Sequence, residues 1–449
     1  MRRNLLIKIA VTLLLALLLG LPLGAVRDVI RERQQRNDAV LLDIKSSDVA
    51  EQRITGPILV VPYRQTRITE VTDPTTGSKS TVSNTTNGFV HFLPDTLDVD
   101  VHVATDTRSR GIYSALVFRG QHTLGGVFTL PKGLGVERDP SIRYEWGRAS
   151  VVLGIGDPRG IRSTPTLRWD GASPTWVGGA ERLPRTRGIH ADVGPIAEEA
   201  SQHKFKIELD LQGTEAIDYV PVGKETVVTM KAAWPHPSFG GRFLPDRRAI
   251  GADGFEATWR TSHLASDVAS ELAACVHGGC DTAPTTLGVA FIDPVDVYLK
   301  SERAAKYGFL FIAITFVVFF LVEVLDRLAI HPVQYGLVGV ALAIFFLLLL
   351  ALAEHVAFPI AYAVAGAGCV GLLGFYLRFV LKSAARGLGF AGLLASLYGA
   401  LYVLLQSEDM ALLMGAGLLF VLLAAVMVIT RRVDWYRISE PARTEHASS

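Results

Sequence analysis

Three cysteines among 449 residues are too few for a disulfide framework. Excess charge of one sign is missing as well. Lys and Arg number 44 against 43 Asp and Glu, a formal net charge of +1, so no global field draws in nucleic acid or an acidic substrate. Nucleic-acid binding is set aside on that ground. The chain carries neither the H-E-x-x-H signature of zinc proteases nor a G-x-S-x-G nucleophile elbow, so no catalytic, cofactor or metal residue is assigned and the chain is not read as an enzyme. No acidic or basic residue stands in the middle of a C-terminal apolar run, where a transporter would carry one.

Apolar residues, 49% of the chain, gather at its two ends. Arg2, Arg3 and Lys8 precede the run Ile9 to Val26, whose length of about 18 residues is near the minimum that crosses roughly 30 Å of hydrocarbon. Leu23 stands where a small residue would be wanted for cleavage after Ala25, so the run reads as an uncleaved anchor. After Lys306 five further apolar runs follow, Tyr307 to Leu325, Gln334 to Ala353, Val356 to Leu377, Leu388 to Leu405 and Met410 to Thr430. Their short connections make neighbours antiparallel.

Between them the composition is that of a water-exposed domain. Leu97-Asp98-Val99-Asp100-Val101-His102-Val103 and Phe205-Lys206-Ile207-Glu208-Leu209-Asp210-Leu211 alternate apolar and polar residues with the period of a half-buried strand. Ile58 to Tyr63, Tyr113 to Phe118 and Thr226 to Met230 add strand signals punctuated by Gly and Pro, which predicts a mostly antiparallel sheet or sandwich. Arg31 to Ile54 is expected to be helical, and Val71 to Asn87, rich in Thr, Ser, Asn and Gly, to be a long hairpin tip or loop. The fold class is therefore an α+β membrane protein: an N-terminal anchor (1–26), a large β-rich extracytoplasmic domain (27–306), a five-helix transmembrane bundle (307–430) and a cytoplasmic tail (431–449).

Orientation follows from loop charge. Arg327, then Arg378, Lys382 and Arg386, then Arg431, Arg432 and Arg437 fall on one side, whereas the opposite turns hold Glu354, His355, Glu408 and Asp409. Positive loops mark the cytoplasm, so both termini are expected there. Arg27, Arg31, Arg33 and Arg36 disagree locally and are outvoted by the five C-terminal runs.

Arg110-Gly111-Ile112-Tyr113, Gly156-Asp157-Pro158-Arg159-Gly160-Ile161, Trp234-Pro235-His236-Pro237-Ser238-Phe239, Arg303-Ala304-Ala305-Lys306-Tyr307, His331-Pro332-Val333-Gln334-Tyr335, Leu352-Ala353-Glu354-His355 and Val433-Asp434-Trp435-Tyr436 are distinctive segments spread over nearly the whole length. Through them the chain resembles the CreD family of bacterial inner-membrane proteins. The resemblance implies an envelope protein linked to cell-envelope integrity, with no activity defined by a known catalytic motif.

Four local features carry candidate roles. Asp157 and Arg159 follow Val151-Val152 in a glycine-rich turn that matches no phosphate loop, so they read as a structural loop satisfying its own backbone, with ligand binding as the minor alternative. His236, between two prolines and flanked by aromatics, reads as part of a rigid turn, with a ligand rim as the alternative. Cys275 and Cys280 enclose Val276-His277-Gly278-Gly279 and are expected to pair in an oxidising compartment; with His277 they supply too few ligands for structural zinc. Stripes of small residues, Gly387, Ala391, Ala395 and Gly399 on one helix and Ala363, Ala367 and Gly371 on another, are expected to be helix-packing faces and a route to a homo-oligomer.

The partners expected are the lipid bilayer and an envelope protein or cell-wall component. Two other classes stay open: a transporter or channel, and an extracytoplasmic hydrolase using His236 or Asp157.

Overall fold

The computed structural model describes residues 10–11, 14–15, 17–72, 79–111, 113–136, 139–180, 183, 186–276, 285–292, 297–325, 328, 330–406 and 410–431. The chain divides into two compact units, Ala39–Pro294 and the combination of Met1–Asp38 with Val295–Ser449. The first is rich in β-strands, the second helical, and together they make an α+β protein.

In chain order the strands begin with β1 (Gln52–Thr72), β2 (Lys79–Phe92), β3 (Thr96–Arg110), β4 (Tyr113–Leu130), β5 (Ile142–Trp146), β6 (Arg148–Ile155), β7 (Thr166–Trp169) and β8 (Trp176–Gly178). They continue with β9 (Gly188–Pro195), β10 (Ser201–Thr214), β11 (Ala216–Val220), β12 (Glu225–Ala232), β13 (Pro237–Gly241), β14 (Arg247–Gly251), β15 (Gly254–Ser262) and β16 (Leu287–Phe291). Among the described residues they form two sheets. One runs β13-β16-β11-β1-β6-β9-β8, with β2 and β5 also pairing β1; the other runs β14-β15-β12-β3-β4-β10-β7. Pairing is antiparallel except for β1 with β11 and β12 with β3.

The period-two segments do what their alternation requires. Leu97, Val99, Val101 and Val103 of β3 and Phe205, Ile207, Leu209 and Leu211 of β10 are buried in one core, while their polar neighbours face out. In β1, Ile58 to Val61 are all buried, because both faces of this central strand are covered.

Of the two readings of Val71 to Asn87 the hairpin holds and the loop does not: Lys79 to Asn87 pairs residue by residue with β1, from Arg64 opposite Asn87 to Thr72 opposite Lys79. The β-branched threonines suit a strand, and exposure of the ribbon on both faces removes the apolar alternation that would have announced it. Residues 73–78, its tip, lie outside the described residues. The helix expected from Arg31 is α1 (Gly20–Ser47), and Gln52 to Ile54 already belong to β1.

The helical unit contains α3 (Val297–Leu325), α4 (Pro332–Ala353), α5 (Phe358–Val380), α6 (Ala384–Gln406) and α7 (Ala411–Thr430); α2 (Val268–Val276) belongs to the β-rich unit. Among the described residues four helices are long and apolar enough to cross a membrane, Val297–Val324, Pro332–Ala353, Phe358–Val380 and Ala384–Gln406, and Leu413–Val428 is a shorter apolar stretch. The expected N-terminal span is described only in part. The first turns of α1 nonetheless pack within this unit, with Leu19, Leu23, Val26 and Ile30 buried on one face. Leu19 and Leu23 occupy the space that a Cβ would take at Gly339 and Gly308.

The packing of α5 on α6 uses only the first part of one small-residue stripe. A Cβ on Gly374 would lie 2.9 Å from that of Ala391, and one on Gly387 would lie 2.8 Å from Arg378 Cα, so the helices approach closely there. Ala395, Gly399, Ala363, Ala367 and Gly371 are exposed instead. The buried face of α5 is Ala361, Ala365, Gly366 and Cys369. Gly387→Leu should therefore cost at least about 1–3 kcal/mol through overpacking and reduce the yield of monodisperse protein in detergent, while Gly399→Leu leaves it unchanged. Equal yields from the two would contradict this contact.

Candidate functional site

The glycine-rich turn after β6 is the most densely bonded polar site of the β-rich unit. Asp157 caps the short turn Pro158–Gly160 and is buried. Its carboxylate accepts from Ala50 N at 3.1 Å, from Arg159 N at 3.2 Å and from the Arg159 guanidinium at 2.7 to 3.1 Å. The Arg159 guanidinium, helped by those backbone donors, outweighs desolvation and holds the carboxyl down at about 2.

Gln52 completes the knot. Its amide donates to Asp157 O at 3.1 Å and Gln212 O at 2.8 Å, and its carbonyl accepts from Asp157 N at 3.2 Å. Gln212 in turn accepts from Arg162 and reaches Asp48 at 3.3 Å, and Asp48 pairs with Arg108 at 2.6 Å. Gly160 is required at the centre, because a Cβ there would stand 2.2 Å from Gln212 O and 2.5 Å from Gln52 Nε2. The knot ties the start of β1 to β10 and to the turn after β6. Asp157 and Arg159 are thus fully engaged with each other and with backbone, an arrangement that leaves the carboxylate no role as a base.

His236 sits elsewhere, just before edge strand β13. It is exposed, its ring lies edge-on to Trp234 at 6.2 Å, and its carbonyl accepts from Trp234 Nε1 at 3.2 Å. Trp234 Nε1 also donates to Ile292 O at 3.1 Å, which pins the turn beside β16. The structure does not bring His236 to Asp157 or Arg159. Cys280 and the side chain of Cys275 lie outside the described residues. Among the described residues, no three His, Cys, Asp or Glu side chains gather closely enough to hold a metal ion.

On the outward face of the second sheet, Glu256, Lys231, His102 and Gln121 stand in register on β15, β12, β3 and β4. They line an open trough of about 800 Å³, in which Lys231 and Glu256 pair at 3.1 Å.

In the helical unit, polar residues of the distinctive segments serve as joints. His331 caps α4: its ring accepts from Val333 N at 3.3 Å, Gln334 Oε1 accepts from His331 N at 3.1 Å, and Pro332 opens the first turn. Tyr335 donates to Glu323 at 2.7 Å, and Glu323 also accepts from Ile330 N at 2.9 Å, closing the connection between α3 and α4. Glu323 is buried there, which its place near the end of an apolar run did not announce.

Three of the α1 arginines that oppose the loop-charge rule have partners within this unit. Arg27 donates to Ala305 O at 3.2 Å, Arg33 lies 3.8 Å from Glu354, and Arg36 pairs with Glu32 at 2.6 Å. Tyr298 also approaches Glu354, at 3.4 Å.

A further pair had no signal in sequence. His122 of β4 and Tyr219 of β11 are both buried, and His122 Nδ1 bonds the Tyr219 hydroxyl across the two sheets. The missing Cβ of Gly120 leaves space for this imidazole. Burial pushes the His122 imidazole down to about 3, so it is neutral.

Among solved structures, an M1 zinc metallopeptidase from Deinococcus radiodurans is 11% identical over 44% of this chain and 42% of its own, with a TM-score of 0.22. A putative nutrient binding protein from Legionella pneumophila is 6% identical over 47% and 72%, also with a TM-score of 0.22. Scores this low carry no functional information. The sequence comparisons are of another order. Inner membrane protein CreD of Escherichia coli (strain K12) is 35% identical over 427 residues, covering 95% of this chain and 92% of the relative. A family model described as inner membrane protein CreD matches residues 4–436, and the chain therefore belongs to the CreD family of inner membrane proteins.

Proposed function

We propose that the chain supports cell-envelope integrity as an anchored binding protein: its β-rich domain lies outside the cytoplasm and contacts an envelope protein or cell-wall component, and its apolar helices hold it in the bilayer. The observation that carries this reading is the use made of polar residues in the helical unit. Glu323, His331, Gln334 and Tyr335 bond one another and the backbone of a single connection, the role of structural joints and not of a conducting path. Both termini are cytoplasmic in this reading, from the loop-charge alternation.

A strain lacking the protein should be more sensitive to detergents and wall-active antibiotics. Glu323→Gln, which keeps an acceptor for Ile330 N and a partner for Tyr335, should restore wild-type resistance, whereas Glu323→Ala should lower the amount of folded protein. Loss of protection by Glu323→Gln at normal protein levels would favour transport instead. Reporter fusions after Arg386 and Arg437 should read as cytoplasmic and fusions near Asp100 and Glu354 as external; an external signal at Arg386 would overturn the orientation.

A further inference from the structure

At the far edge of the second sheet, β10 carries Ser201 and His203 two residues apart, hence on one face. The adjacent strand β7 ends in the tight turn Trp169-Asp170-Gly171-Ala172, closed by Trp169 N to Ala172 O at 2.9 Å and Ala172 N to Trp169 O at 2.8 Å. Asp170 and Gly171 are both left-handed there, with φ of 49° and 88°, the Asp-Gly pattern of a two-residue hairpin turn. This turn is locked onto β10. Asp170 N donates to Lys204 O at 3.0 Å, and Lys204 N donates to Asp170 Oδ1 at 2.8 Å, which leaves Oδ2 aimed at His203.

His203 Nδ1 lies 2.6 Å from Asp170 Oδ2, and His203 Nε2 lies 3.0 Å from Ser201 Oγ. The indole of Trp169 stacks on the imidazole at 5.1 Å with an interplanar angle of 16°, fixing the ring between its two partners. A carboxylate only accepts, so Nδ1 carries a proton, and in the neutral form of the ring Nε2 presents its lone pair to the serine hydroxyl. The His203 side chain is 17% exposed and that of Asp170 44%, so solvent and solutes reach the site while Trp169 covers one ring face. These are the connections by which an imidazole activates a serine, reached without a nucleophile elbow.

We propose that Ser201 is an activated nucleophile toward carboxylic esters, with His203 as general base and Asp170 as the residue that positions it. In the acylation step Ser201 Oγ bonds the ester carbonyl carbon while its proton passes to His203 Nε2. The same proton then goes to the leaving alkoxide as the carbon–oxygen bond of the ester breaks. Water repeats the sequence on the acyl-serine, giving the acid and regenerating the hydroxyl, so the net reaction is ester plus water to acid plus alcohol. This activity is independent of the partner-binding reading, and loss of either would leave the other standing.

The test uses the full chain in detergent micelles with a fluorophosphonate probe, the adduct being located by peptide mass spectrometry. Ser201 should be labelled, and the adduct should vanish in Ser201→Ala. His203→Gln should slow labelling by about 10²- to 10⁴-fold, the usual worth of a general base. Asp170→Asn should slow it as well, because an amide no longer fixes the Nδ1 proton that leaves Nε2 free to act as base, and Asp170→Glu should restore part of the rate. Should His203→Gln fail to fold, the Asp170→Asn rate and its rescue by Asp170→Glu decide. An unmodified Ser201 in folded wild-type protein, an undiminished rate in folded His203→Gln, or an undiminished rate in folded Asp170→Asn would each overturn the proposal.

Discussion

Gln52→Leu should destabilise the β-rich unit by about 2–4 kcal/mol, since leucine fills a similar volume but takes the amide away from three backbone groups, of which Asp157 O keeps the Gly160 N–H at 3.0 Å, and each group left without a partner costs about 1–3 kcal/mol before relaxation. Those groups are Asp157 N, Asp157 O and Gln212 O, and Gln52 is itself fully buried among them. The effect is expected to exceed that of Arg159→Ala, because the Arg159 side chain is half exposed and Asp157 keeps the N–H groups of Ala50 and Arg159 without it. Denaturant titration of the full chain in micelles, followed by tryptophan fluorescence, measures both. A Gln52→Leu midpoint equal to wild type would show that the knot closes without its central amide. Gly160→Ala should resemble Gln52→Leu, for the added methyl displaces the same amide and the Gln212 carbonyl.

That knot also marks where sequence stops being informative. Gln52, Asp157 and Gln212 are more than a hundred residues apart in pairs that bond directly, and no local pattern records such a meeting. Strands β3 and β10 are legible because alternation is local and burial of one face enforces it, as Val99 and Ile207 show. The ribbon β1–β2 is illegible for the converse reason: Thr85 and Thr86 answer to no core, so their polarity resembles that of a loop. Helix faces fall between these cases. The stripe beginning at Gly387 does contain the α5 contact at Gly387 and Ala391, but a spacing of four drifts off the contact face of a helix with about 3.6 residues per turn, so the contact passes to Tyr398, bonded to Tyr362 and Cys369 of α5, and Ala395 and Gly399 are exposed. The Ser201 and His203 pair lies just before the alternating segment that begins at Phe205 and carries no signal of its own, and Asp170 enters only through the pairing of β7 with β10. Nor does the sequence announce that Arg33 of α1 stands beside Glu354 and Arg27 on the Ala305 carbonyl.

The buried His122–Tyr219 bond should make the β-rich unit lose stability as the medium is acidified, beginning near pH 6.5. Its folded-state imidazole is depressed from 6.5 to about 3 by burial, so the unfolded chain takes up a proton first. The contribution is complete above pH 6.5 and is lost as pH falls toward 3. At about 1.4 kcal/mol for each pH unit this amounts to about 2 kcal/mol by pH 5 and as much as about 5 kcal/mol across the whole window. Asp157, held at about 2, contributes stability that is present above 3.8 and disappears only below it. Asp218 works with the opposite sign, because burial raises its carboxyl and the folded state gains a proton first. The comparison that isolates His122 is the double variant His122→Leu with Tyr219→Phe, which removes both polar atoms together and so strands neither, while Asp157 and Asp218 stay as they are. Denaturation midpoints of the wild type should fall between pH 7 and pH 5, and those of the double variant should stay nearly level. His122→Leu alone should instead cost about 1–3 kcal/mol even at pH 7, since the Tyr219 hydroxyl is then buried without its partner. Parallel pH profiles for wild type and double variant would mean that His122 is protonated in the fold, and the neutral imidazole inferred from its burial would have to be given up.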